Sequence, residues 1–489
     1  MGGVAGVTMV LGMVRMKFAA MLIGTIGVGL NANFLAIQNF IGTIAGLGIE
    51  QSAVRDVAKA MGQNNWQTIG YTILTLRRMC WLSGLLGAGT IALLSPLLSQ
   101  WTFDSKEYVL DIAALGLVIL FVNLKGGQIA MIQGMRRISD IARIQIIGAI
   151  AGTIITIILY LWLGLRGIVP ALVLAAALNL VVSWLFARRV AVPKVVLTWK
   201  ESFHNAGDMV RLGVALMWSG LLGSAVIYVT NMLITQQINI QAVGIYSAAF
   251  VLSGTFVNFV LSAMGTDYLP RLSGVIHDKE TIKRLVNEQT EIGLLIALPG
   301  LLATISLAPW IIKAFYTSEF LPAADLLQWF ILGCLGRVIG FPMGYMFVAL
   351  GKSAWFLFTQ TLFNILHIAL IWIGLFTFGL VGTSIAFACT YVIGVSVNLV
   401  IARHLNGFHW YIDTKRLVIT CLSFVIVTFV AVHSMSVWPA TIFGIAVTMV
   451  ATIFCLKGLV KRIGTEHRVV RAAFKVPGMR LVCGCQRIS

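Results

Sequence analysis

Between Ile146 and Gly164 the chain reads IIGAIAGTIITIILYLWLG, a run with no charge and no alternation of apolar with polar residues. An α-helix of roughly 20 such residues crosses the hydrocarbon core of a bilayer. In lipid every backbone polar group must find a partner within the protein, so only helices and closed barrels span it. Barrel strands alternate apolar and polar residues, and this run does not. Comparable runs fall at 7–28, 32–54, 75–100, 109–133, 143–163, 168–187, 212–235, 241–266, 290–313, 325–350, 354–377, 380–402, 417–434 and 438–456. The sequence predicts an all-α polytopic membrane protein with about 14 transmembrane helices. Composition agrees, since 11% of the 489 residues are charged, against about 25% in soluble domains.

Lys and Arg number 35 against 17 acidic residues. A nucleic-acid binder gathers such an excess on one polar domain; here it recurs in short connections between apolar runs, so no nucleic-acid partner is expected. With the N-terminus placed in the cytoplasm, the inner connections hold Arg55, Lys59, Arg77 and Arg78, then Arg136, Arg137 and Arg143, and so on to Arg403, Lys415 and Arg416. The outer connections hold Lys106, Arg166 and Lys313. The positive-inside rule thus predicts cytoplasmic N- and C-termini and an even number of spans. The tail, 458–489, is basic and partly amphipathic, and is expected either on the anionic inner leaflet or in solution. The seven cysteines are scattered and mostly within spans, which implies no disulfide framework. No metal site is expected, with Cys483 and Cys485 the one pair that resembles a ligand spacing. The first apolar run has no A-x-A-like cleavage site, so no signal peptide is expected.

An internal repeat runs through the chain. GLRG at Gly164–Gly167 and GLVG at Gly379–Gly382 each close one span and open the next, and VGL at Val28–Leu30 matches VGI at Val243–Ile245 at the same offset. FARR (Phe186–Arg189) and IARH (Ile401–His404) keep it too. Each repeat carries an even number of spans, so the halves share one orientation and are related by a pseudo-two-fold along the membrane normal. The expected organisation is an N-lobe over 1–190, a C-lobe over 205–404, two further helices over 415–457, and the tail.

Met16–Ala60, MKFAAMLIGTIGVGLNANFLAIQNFIGTIAGLGIEQSAVRDVAKA, places a basic residue before AAMLIG, then GVG, then GLGIEQSAVRDVA. YLPRLS (Tyr268–Ser273), ALGKS (Ala349–Ser353) and GLVGTSIAFA (Gly379–Ala388) follow. In these features the chain resembles the polysaccharide flippases, the Wzx-type O-antigen translocases of the multidrug/oligosaccharidyl-lipid/polysaccharide exporter superfamily, over most of residues 10–403. The resemblance implies two six-helix lobes in a V around a central cavity, working by alternating access. The implied cargo is an undecaprenyl-pyrophosphate-linked oligosaccharide moved from the cytoplasmic to the outer leaflet of a bacterial inner membrane. Lipid II flippases of the superfamily carry cavity arginines on helices 1, 2 and 8, where Arg15, Arg55 and Arg271 fall here, with Lys17 an alternative counterpart on the first.

Four cations lie inside spans: Arg15, Lys17, Lys125 and Arg337. On insertion scales each costs roughly 2.5–3.5 kcal/mol near mid-membrane. Facing one polar cavity, they would compensate a pyrophosphate, which favours Arg in fork geometry. The alternatives are that Arg15 and Lys17 flank a span starting near Phe18, and that Lys125 snorkels or pairs locally. Glu50 and Asp267 either pair with Arg55 and Arg271 along their own helices or serve as proton- or sodium-coupling carboxylates. Asn31, Asn33, Gln38, Asn231, Gln360, Asn364 and His367 are candidate sugar contacts, or helix glue. The cation excess within spans favours an anionic cargo over a cationic drug.

LGKS at Leu350–Ser353 is not a P-loop, because Met346 stands where its first glycine is required. No HExxH or Ser/His/Asp arrangement is visible. The expectation is a secondary carrier, not an enzyme, without cofactor and functional as a monomer. An ion-coupled drug or metabolite antiporter of the same superfamily is the alternative. A membrane-embedded glycosyltransferase or polymerase would need a large outer loop, which the sequence lacks.

Overall fold

A computed structural model describes residues 2–193, 195–276 and 278–463. The basic tail from residue 464 and the Cys483/Cys485 pair lie outside them. The described residues form fourteen α-helices and no strand: α1 Gly2–Gly46, α2 Ile49–Gly62, α3 Trp66–Phe103, α4 Val109–Gly134, α5 Ile138–Leu163, α6 Ile168–Ala187, α7 Trp199–Gln237, α8 Ile240–Ser273, α9 Lys279–Phe315, α10 Ala323–Ala349, α11 Ser353–Phe378, α12 Leu380–Asn406, α13 Ile412–Ser434 and α14 Val437–Ile463. Twelve continuous stretches are long and apolar enough to cross a membrane. Two of them turn back internally. Gly24 (φ 60°, ψ −166°) breaks α1 into two segments, and the 3₁₀ turn Gly164–Gly167 separates α5 from α6. Dividing both gives fourteen crossing segments, the number expected from the sequence.

Some boundaries differ. The first turn falls at Gly24 rather than after residue 28, and the second predicted span is interrupted at Leu47 and Gly48, both at positive φ. A Cβ on Gly48 would lie 2.1 Å from the carbonyl oxygen of Gly213, so the break seats α7 against the chain at a contact that only glycine allows. Helices α3, α7 and α9 begin about ten residues earlier than their apolar runs. At 38, 39 and 37 residues they are roughly 55–58 Å long at 1.5 Å per residue, well beyond the hydrocarbon thickness. Helix α7 opens with a capping box: the Thr198 hydroxyl accepts from the Glu201 amide, and the Glu201 carboxylate accepts from the Thr198 amide at 2.7 Å. The Thr198 amide and then its hydroxyl hold the Glu201 carboxyl below its ordinary range.

The chain divides into two compact units, one comprising the residues through Ser247 with Ala314–Glu319, the other Ala248–Lys313 and the chain from Phe320. The first has a core around Phe34, Ile37, Ile91 and Leu115. The second is built around Tyr268, Met343, Phe347 and Phe408. Large apolar side chains such as Leu93, Trp162, Phe376 and Val400 stand exposed, as suits a surface that meets lipid.

The 215-residue offset is kept in three dimensions. Helices α5 and α11 each have 26 residues and start and stop at matching positions. Both end on a glycine in the same backbone state, Gly164 at φ 55°, ψ −130° and Gly379 at φ 60°, ψ −144°. Within the first unit, Gly29 and Gly244 pack against each other reciprocally. A Cβ on Gly29 would lie 2.0 Å from the Ile240 carbonyl oxygen, and one on Gly244 would lie 2.1 Å from that of Thr25. All four residues obey the same offset.

Candidate functional site

In the second unit, α10, α11 and α12 enclose a cavity of about 640 Å³. Arg337 lines it, with Gln360, Asn364 and His367 from α11 and Tyr391 and Asn398 from α12. Four of these residues were singled out from sequence; Tyr391 and Asn398 were not. Gly336, Gly340 and Gly344, one turn apart on α10, also line it. That spacing is legible in GRVIGFPMG. Among the described residues Arg337 makes no ion pair, and the lining holds no carboxylate. Asn364 donates to the Gln360 carbonyl at 2.6 Å. The His367 ring packs edge-on to Phe387 at 5.8 Å. The Asn398 Oδ1 is buried without a hydrogen-bond partner.

In the first unit the predicted residues fall into separate places. Lys17 donates to the Tyr316 carbonyl oxygen, and the Tyr316 hydroxyl lies 3.2 Å from the Met16 sulfur. Helix α1 runs from Gly2, so neither Arg15 nor Lys17 precedes a span that starts near Phe18. Both lie within the segment between Gly2 and the break at Gly24. Arg15 lines a small cavity of about 140 Å³ with Asn31, Thr156 and Tyr160. Lys125 does not share it. It reaches Asn179 at 3.4 Å and acts electrostatically on Glu50. Gly126 makes room for that acid, since a Cβ there would lie 1.4 Å from Glu50 Oε1.

Arg55 does not pair with Glu50. Five residues along a helix is a rotation of about 140° from alignment, and Arg55 bonds Asp56 instead, through Nε at 3.1 Å and Nη2 at 2.9 Å. With Asp56, Lys59, Tyr71, His204 and Asn205 it lines a polar pocket of about 500 Å³. Asp267 and Arg271, four apart, do form the expected pair at 3.4 Å, with both side chains exposed. Asn33 donates to the Thr235 hydroxyl at 3.0 Å and Asn231 to the Ala32 carbonyl at 3.2 Å, so these amides hold α1 to α7. Gln38 is buried. No group of three or more metal-ligating side chains occurs among the described residues.

Comparison with known proteins bears on the fold and the family. The chain is 24% identical over 391 residues to the lipid III flippase of Escherichia coli (strain K12), covering 78% of this chain and 91% of the relative. The solved structure of the lipid II flippase MurJ in an inward closed conformation superposes with a TM-score of 0.70 at 15% identity, covering 94% of this chain and 99% of that one. An inward-facing multidrug resistance MATE family transporter of the MOP superfamily gives 0.59 at 16% identity, covering 84% and 98%. These likenesses establish the fold. A profile of the family described as "Polysaccharide biosynthesis protein" matches residues 21–325, well over half of the chain, and the resemblance drawn from the sequence points the same way: the protein belongs to this family of polysaccharide biosynthesis proteins.

Proposed function

We propose that the protein is a carrier, not an enzyme, that moves an undecaprenyl-pyrophosphate-linked oligosaccharide from the cytoplasmic to the outer leaflet of a bacterial inner membrane by alternating access, for surface polysaccharide such as O-antigen or exopolysaccharide. The observation that carries this reading is Arg337, a cation in a membrane helix that makes no ion pair among the described residues and faces a cavity rich in amides and aromatic rings. Such a charge is retained in a membrane domain where it meets a ligand. Amides and hydroxyls suit a sugar. The Arg55 and Lys59 pocket is where an anionic headgroup finds compensation. Family membership and the flippase relative support a glycolipid cargo. An antiporter of cationic drugs shares the fold, but a cation beside no carboxylate is a poor site for a cationic cargo.

The test is complementation of a strain that lacks the protein, at matched expression, with surface polysaccharide as readout. Arg337→Ala is expected to lose most of the polymer and Arg337→Lys to retain part of it. Normal polymer with both variants would remove Arg337 from the mechanism.

A further inference from the structure

The cavity between α10, α11 and α12 combines three properties that together narrow its ligand. Its charge is single: among the described lining residues Arg337 is the one fixed cation, and there is no carboxylate. Its other polar groups are neutral, namely the amides of Gln360, Asn364 and Asn398, the hydroxyls of Thr359, Thr390 and Tyr391, and the His367 ring. Its remaining wall is aromatic, with Phe341, Tyr345, Phe363 and Phe387. The volume, about 640 Å³, falls in the roughly 300–1,000 Å³ range of small-ligand pockets and holds a short saccharide.

A pyrophosphate diester carries two negative charges, so a single guanidinium leaves one of them uncompensated. A carboxylate carries one charge, and its two oxygens match the planar fork of Arg. The neutral amides and hydroxyls then serve the ring hydroxyls. The aromatic wall packs against the apolar C–H face of a pyranose. From this match of charge and chemistry we infer that the cavity is a subsite for a carboxylate-bearing sugar of the transported glycan, a hexuronate, and not for the pyrophosphate. This rests on the glycolipid carrier reading above and adds the class of sugar.

The experiment uses the full chain in nanodiscs and measures binding of 4-nitrophenyl β-D-glucuronide, 4-nitrophenyl β-D-glucoside and farnesyl pyrophosphate. The glucuronide is expected to bind at least tenfold more tightly than the glucoside. Arg337→Gln is expected to abolish that difference while leaving farnesyl pyrophosphate binding unchanged. Asn364→Asp, which keeps Arg337 but sets an acid in the same cavity, is expected to remove glucuronide binding as well, and it carries the test should Arg337→Gln fail to fold. Equal binding of the two glycosides, or loss of farnesyl pyrophosphate binding in Arg337→Gln with the glucuronide unaffected, overturns the inference. The carrier reading stands or falls separately on the complementation result, since a neutral glycan could be carried by a protein that ignores the glucuronide.

Discussion

Lys17 and Arg337 both place a cation in a membrane helix, yet their surroundings differ. Lys17 sits seven residues before the Gly24 turn and is tied to the Tyr316 carbonyl, so its charge fixes the chain between α9 and α10 to the first helix. Arg337 faces a cavity and makes no ion pair among the described residues. Lys125 is a third case, with Asn179 at 3.4 Å and Glu50 as electrostatic partner. Removing one member of a buried charge set leaves the other uncompensated, which is more harmful than removing both. Lys125→Met and Glu50→Gln are each expected to lower the thermal unfolding midpoint by several degrees, and the double variant to recover part of the loss. If the double variant melts at the sum of the single effects, the two charges do not stabilise each other.

At the scale of the element, close helix contacts are set by glycine. A methyl group on Gly29 would lie 2.0 Å from the Ile240 carbonyl oxygen, whereas one on Gly12 meets nothing within 4 Å. Gly29→Ala is therefore expected to cost at least about 1–3 kcal/mol as an overpacked contact, and Gly12→Ala to be silent in the same unfolding measurement. An unchanged midpoint for Gly29→Ala would show that the two helices separate easily. The capping box of α7 gives a pH dependence. The folded pKa of Glu201 is depressed, so its contribution is present above the unfolded carboxylate value and is lost as pH falls through the folded one. Hydrogen exchange at the amide of Thr198, which donates to the Glu201 carboxylate, corrected for intrinsic rates, should show protection that declines over this acidic window; Glu201→Gln, which has no carboxylate to titrate, should remove the dependence.

At the scale of the whole molecule, the proposed direction of transport carries an anion out of a negative cytoplasm, and the potential assists it by about 2.3 kcal/mol per charge per 100 mV. In proteoliposomes, an inside-negative potential should speed outward movement of a lipid pyrophosphate, and collapsing that potential with an ionophore should slow it. Rates indifferent to potential would mean that the charge is neutralised by a co-transported ion. Several properties are set along the chain itself: the fourteen crossing segments follow from the lengths of the apolar runs, the repeat from residues such as Gly164 and Gly379, and the cations from their isolation within those runs. These are local, because hydrophobic length and charge are read one helix at a time. Apart from pairs along one helix such as Asp267 and Arg271, which charge meets which group was decided by tertiary structure. Glu50 lies against Gly126 of α4 instead of pairing with Arg55, Lys17 holds a carbonyl 299 residues away, and Arg337, Gln360, Asn364 and His367 line one cavity with Asn398, because the rotation of each helix about its axis is fixed by contacts with helices distant in sequence.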